Sequence, residues 1–325
     1  MSYAASYCLF NYTLDRPSEG PQYANLRLVR AFERGLDPKS SEAGFVLTHV
    51  NMVKETAALV SGTVKILDAL EQGGTRCEVN DGFRDILHAM GKIEERMEGK
   101  TKFLPCVLQD IVNITNLHAW EGMWKNSKPA DYISFRVFIF GITSQSMFPN
   151  GVVYESINDN KPLYFRGESG ANDSIVCFLW RDLNRDIVME HLPIIPMQIP
   201  LLDHLLEIPM PETPLTKILH EFRAYRPLPH RQFLAHVAAK AEQLGVKDFS
   251  IQDKETTILY LKVLDHVRSF RWRHWLFARE YIIRRTSHPT ATGGSPIITV
   301  WKFHLSLSLS YYLPISITTG VITLL

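Results

Sequence analysis

Apolar positions along this chain recur mostly at helical spacing. Leu259, Val263, Val267, Phe270, His274, Phe277 and Tyr281 lie three or four residues apart, so they share one face of a helix expected over residues 253–285. Unbroken, that helix would run to about 50 Å. Its other face holds Lys262, Arg268, Arg271 and Arg279, as a solvated surface does. A second long helix is expected over residues 45–72. There Val46, Val50, Val53, Ala57, Val60, Val64 and Leu67 form one stripe, and Phe45, His49, Met52, Leu59 and Ile66 an adjoining one. So wide an apolar face requires several packing neighbours, and Gly73 and Gly74 end it. Residues 83–98 repeat the pattern through Phe83, Ile86, Leu87, Met90, Ile93 and Met97.

The remaining segments are shorter. Residues 3–12 read as a docked helical fragment, 25–36 as a short amphipathic helix and 37–44 as a serine-rich loop broken by Pro38. A less regular helix is expected over 104–124, a polar loop over 125–130, and a buried helix over 132–140, where the aromatic content also suits a strand. Residues 143–170 are rich in glycine and proline and read as a loop, a usual place for binding residues. Another helix begins at 175–180, a proline-rich connection with helical turns covers 193–214, and helices follow at 215–225 and 230–244. The fold class expected is an all-α helical bundle around a cofactor cleft.

Composition narrows the function classes. A chain of 325 residues with 46% hydrophobic content can bury a sizeable core. The net charge of +1 gives no long-range electrostatic case for nucleic acid or a membrane surface. Cys8, Cys77, Cys106 and Cys177 are widely spaced, so neither a zinc nor an iron–sulfur site is signalled. A reducing compartment fits, and the opening MSYAASYCLFNY lacks a secretory pattern, so a cytoplasmic location is expected. Residues 305–325 carry no charge, but their serines, threonines, Pro314 and Gly320 make a poor spanning helix.

The candidate chemistry centres on His274. A histidine on an apolar stripe is more often a hydrogen-bonded core residue than a metal ligand. Here a loop with hydroxyls and paired glycines follows at 288–296 (HPTATGGSP), and such a loop beside an inward imidazole is the layout of a cofactor pocket with a lid. FRWRHWLFAREYI followed by SHPTATGGSPIIT closely resembles the proximal-histidine helix and glycine-rich loop of the indoleamine 2,3-dioxygenases, heme enzymes that open the indole ring of L-tryptophan. FRVFIFGITSQSMFPNGVVYE, YFRGESGANDS and YRPLPHRQFL extend the resemblance in the family's order, over roughly residues 3–299.

The resemblance implies a heme b cofactor, O2 as co-substrate and L-tryptophan or a related indoleamine as substrate. The product would be N-formyl-L-kynurenine, with no side chain needed as acid or base. It implies His274 as ligand of the heme iron and Arg271 as partner of a heme propionate, a solvated arginine being the alternative. Arg136 matches the arginine that holds the substrate carboxylate; a structural ion pair is the alternative. Thr292 matches a loop residue at the substrate's amino-acid end, and Ser169, Gly170 and Ala171 match the small residues beside the heme, where an ordinary turn is the bland reading. Tyr132, Phe45 and His49 match pocket-wall positions: Tyr132 suits core packing equally, and His49 either accepts the indole N–H or caps a neighbouring polar group. Tyr7 and Cys8 fall near a further wall segment.

Two departures accompany the resemblance. Family members usually have a smaller N-terminal domain, and this chain is expected to begin inside the large one; after Thr299 an apolar tail stands where the resemblance implies a closing helix. The expected organisation is therefore a helical heme-binding catalytic domain over 1–299 and a poorly ordered tail over 300–325. A monomer that spans no membrane and binds no nucleic acid is expected. The alternative function is a truncated, catalytically impaired heme-binding or regulatory remnant.

Overall fold

The computed structural model describes residues 10–98, 122–142, 146–167, 200–208 and 221–286, omitting the side chains of Arg271 and Trp275. It is mostly helical. Two short strands, β1 (Tyr12–Leu14) and β2 (Leu26–Leu28), precede helices α1 (Ser41–Val53), α2 (Thr56–Glu71) and α3 (Arg76–Glu98). Then come α4 (Met123–Asn126), α5 (Pro129–Phe135), α6 (Pro200–Leu205), α7 (Leu228–Leu244), α8 (Val246–Ile251) and the long α9 (Lys254–Ala278). Helix α3 is the hub, with α1, α2 and α9 packed against it.

The helix expected over 25–36 is a correction. Leu26, Arg27 and Leu28 instead pair antiparallel with Tyr12–Leu14, with Leu26 opposite Leu14 and Leu28 opposite Tyr12. Both leucines are buried and Arg27 is less so, the alternation of a strand. Long-range caps hold the segment open. Asn25 bonds both backbone groups of Arg16, at 2.7 Å each, and the buried Glu42 carboxylate accepts from the backbone N–H of Phe32, Glu33 and Arg34. The small sheet also departs from the all-α expectation.

The helix expected over 45–72 is broken as well. Lys54 and Glu55 form a turn, and the Thr56 hydroxyl donates to the Val53 carbonyl at 2.6 Å. The break shifts the phase of the buried face. Downstream, Leu59, Ile66 and Leu67 are inside, while Ala57 and Val64 of the expected stripe are exposed. The loop expected over 125–130 shrinks to Ser127 and Lys128, because Pro129 opens α5 at a position where its missing N–H has no cost. Residues 132–139 are helical as expected, the last turn, Arg136–Ile139, winding as a 3-10 helix; Phe140 is extended, and Val137 and Phe138 are exposed where a buried helix was expected. In α9, the Asp253 side chain caps the start by accepting from the Thr256 N–H at 3.0 Å. The helix ends by widening into a π turn at Arg279–Ile283.

No helix among the described residues is long and apolar enough to cross a membrane.

Candidate functional site

Helix α1 brings in the first wall. The Ser40 hydroxyl caps it, accepting from the Ala43 N–H at 3.1 Å, and Gly44 lets α4 approach. A Cβ on Gly44 would stand 1.7 Å from the carbonyl oxygen of Asn126, so no larger residue fits while these helices keep this contact. The next residue, Phe45, packs against His49 one turn on and Tyr132 of α5, with ring centroids 4.6 and 5.0 Å away.

Tyr132 links that wall to the end of α9. Its ring lies 5.6 Å from that of Tyr281, which in turn stacks edge-on against Phe277 at 5.9 Å. Tyr281 is fixed at its tip, its hydroxyl shared between the carbonyls of Met123 and Ser127. It sits in the π turn, a distortion that recurs at functional sites. Trp124 completes the cluster, 4.5 Å from Phe277.

His274 lies on the same helix, just before Phe277, and near enough to His49 to feel its charge. Its stripe partners Val263, Val267, Phe270, Phe277 and Tyr281 are buried, whereas His274 itself stays half-buried. Protein surrounds the ring all the same: burial and then the nearby His49 push its pKa down to about 3. His49 is similar, half-buried with its pKa lowered by desolvation, partly offset by its bond to Phe45. Both imidazoles are neutral at pH 7, which leaves each a nitrogen lone pair. The His49 tautomer follows from its contact. Nδ1 lies 2.8 Å from the Phe45 carbonyl, which can only accept, so Nδ1 carries the proton and Nε2 the lone pair.

Arg136 follows Tyr132 by one turn and is buried, 2% exposed. Its guanidinium lies over the Phe140 ring at 4.9 Å, and desolvation lowers its pKa, with Tyr132 acting in the opposite sense. A cation held this deep is suited to an anionic group.

The family model described as Indoleamine 2,3-dioxygenase matches residues 1–297 of this chain. The chain belongs to that family. A comparison with curated proteins finds no match. Of the positions the family resemblance singles out, Phe45, His49 and Tyr132 gather with the aromatic residues of the His274 helix, and Arg136 stands beside Tyr132. Ser169, Gly170, Ala171, Thr292, Tyr7, Cys8 and the Arg271 side chain lie outside the described residues. Sequence reasoning placed Phe277 and Tyr281 as core and missed Trp124. An indole, a phenol and a benzyl ring converging on one helix end are visible only once the chain is folded.

Proposed function

We propose that this member of the indoleamine 2,3-dioxygenase family is a heme-dependent enzyme that cleaves the C2=C3 bond of the indole ring of L-tryptophan with O2, giving N-formyl-L-kynurenine. The observation that carries the reading is His274: a neutral, half-buried imidazole on a rigid helix beside His49, which itself packs on Phe45. That donor set fits heme, which takes a neutral imidazole on iron and apolar surroundings for its ring. His274 would hold the iron, and Arg271 with Ser169, Gly170 and Ala171 would complete the cleft, all within one catalytic unit over residues 1–299.

The chemistry such a heme supplies is activation of O2 for insertion of both oxygen atoms into the indole. The chain's own residues bind and orient. Phe45 and Tyr132 offer rings for the indole to pack against and keep water from its face. His49, protonated at Nδ1, presents the Nε2 lone pair as acceptor for the indole N–H. Arg136 would take the substrate carboxylate, replacing lost hydration with a charge-assisted bond, and Thr292 would meet the same amino-acid end. Fixing both ends of the substrate leaves its C2=C3 edge one orientation, the part of catalysis a protein scaffold performs best.

The test is an absorption spectrum of the full chain loaded with hemin and reduced, followed by addition of L-tryptophan and air while product absorbance is recorded. A histidine-ligated spectrum with N-formylkynurenine appearing supports the reading. Heme binding without product replaces it with the impaired remnant, and failure to bind heme removes it.

A further inference from the structure

Helix α9 carries a second inward stripe that the proposed reaction does not use. His266, Ser269 and Arg273 stand at i, i+3 and i+7 and so share a face. Opposite them on α3 are Glu94 and Glu98, one turn apart. Arg273 Nε donates to Glu98 at 2.7 Å, and its Nη1 lies 3.2 Å from Glu94. His266 Nδ1 lies 3.1 Å from the other Glu94 oxygen, and Arg273 also bonds the Ser269 hydroxyl. Arg273, Ser269, Glu94 and Glu98 are all buried, between 5% and 9% exposed.

Buried ions add little net stability over well-packed apolar side chains of the same volume, so helix docking alone does not call for them. What they add is direction. Apolar ridges tolerate a small slide or roll, whereas a planar guanidinium held by two fixed carboxylates does not. Arg273 immediately precedes His274, and successive helical residues are turned by about 100° from each other. Fixing Arg273 toward α3 therefore fixes where His274 points. His266, two turns earlier on the same Glu94, supplies a second anchor that opposes rotation about the helix axis.

We propose that Arg273, gripped by Glu94 and Glu98, is a positioning residue that sets the rotation and height of His274 as a heme ligand. This rests on the heme reading above. The same two helices are also joined by an exposed pair, Arg84 with Glu255, near the opposite end of α9, which provides an internal control.

The full chain and its Arg273→Met, Arg273→Lys, Glu98→Gln and Arg84→Ala variants are loaded with hemin. Heme loss to excess apomyoglobin is timed, and the iron–histidine stretching band of the ferrous form is recorded. Arg273→Met and Glu98→Gln are expected to lose heme roughly 10- to 100-fold faster, the usual scale for residues that orient a metal ligand, and to shift or broaden the band. Arg273→Lys should recover part of both, and Arg84→Ala should match the unaltered chain. If Arg273→Met fails to fold, the isosteric Glu98→Gln carries the test. Unchanged loss rate and band in Glu98→Gln, or the same loss in Arg84→Ala, would overturn the proposal. An unaltered chain that takes up no heme overturns the ligand assignment and the clamp together. One that takes up heme but leaves L-tryptophan intact overturns only the reaction, because both readouts still report on Arg273.

Discussion

The α2–α3 seam and the α1–α9 side of the bundle share the hub helix α3 but are finished differently. At the seam, Gly62 and Gly82 let the backbones touch: a Cβ on Gly82 would come 2.5 Å from Ile66, and one on Gly62 2.8 Å from the Gly82 carbonyl oxygen. Around them Leu59, Ile66, Phe83, Ile86 and Ile93 are fully sealed. Each such side chain contributes about 1.5–3 kcal/mol by leaving water. On the other side, Phe45 and His49, packed ring against ring, and His274 on the facing helix stay half-buried. A chain selected for stability alone would place aliphatic residues there. One region is closed, while the other keeps polar atoms and accessible surface, and it is there that the proposed function would seat its ligand.

The strongest way to break that distinction is His274→Ala. If the α1–α9 side is a heme site, this variant should retain no heme after gel filtration and show no dioxygenase activity. Its secondary structure by circular dichroism should be unchanged, because the α2–α3 seam is untouched. Heme retained at the level of the unaltered chain would refute the ligand assignment.

Next in size is the reverse experiment on the scaffold. Gly82→Val forces a branched side chain against Ile66 and the Gly62 carbonyl, and overpacking of this kind costs about 1–3 kcal/mol. The thermal midpoint should fall by several degrees, while the heme spectrum of the fraction still folded keeps its band positions. A spectrum altered as much as the midpoint would mean that seam and site are not separable.

How much of this could be read from the sequence depends on the range of the interaction. The inward position of His274 was legible because seven residues at three- and four-residue spacing agree with one another, and all but His274 are buried. Sheet pairing was not. A three-residue strand is too short to declare its period, and what keeps residues 25–36 from winding is Asn25 on Arg16 and Glu42 on the turn at Phe32. The break at Lys54 and Glu55 hides for a similar reason, since Val53 and Ala57 continue the apolar spacing through it. Arg273, Glu94 and Glu98 left no mark in the sequence pattern, because a charge on a helix reveals its burial only when its partner on another helix is known. At the site, Phe45, His49, Tyr132 and Arg136 came from family resemblance, and their gathering from the fold.

A smaller effect concerns an imidazole on the scaffold side. His204 of α6 has its pKa lowered to about 4, by burial first and then by Arg223 and Arg226. With the folded value below the ordinary one near 6.5, the unfolded chain takes up the proton first. The stability that His204 contributes by being neutral is therefore present above pH 6.5 and lost as pH falls toward 4. Between pH 7 and pH 5 the loss should be about 2 kcal/mol, at about 1.36 kcal/mol per pKa unit. Urea unfolding at both pH values checks this: His204→Gln should show a flatter dependence by that amount, and identical slopes would remove His204 as the cause.

The smallest effect tests the site most finely. If His49 Nε2 accepts the indole N–H, His49→Ala removes one neutral hydrogen bond worth about 0.5–1.5 kcal/mol, roughly a two- to ten-fold fall in kcat/KM for L-tryptophan. The Phe45 carbonyl loses its side-chain donor in the same variant, so a fall alone would not isolate the indole contact. 1-Methyl-L-tryptophan does isolate it, because it has no indole N–H to donate. With that substrate the variant should lose less than with L-tryptophan, and the difference between the two losses measures the bond. An equal loss for both would confine His49 to shaping the wall, and the indole would then be held by shape, with Arg136 and Thr292 fixing only the amino-acid end.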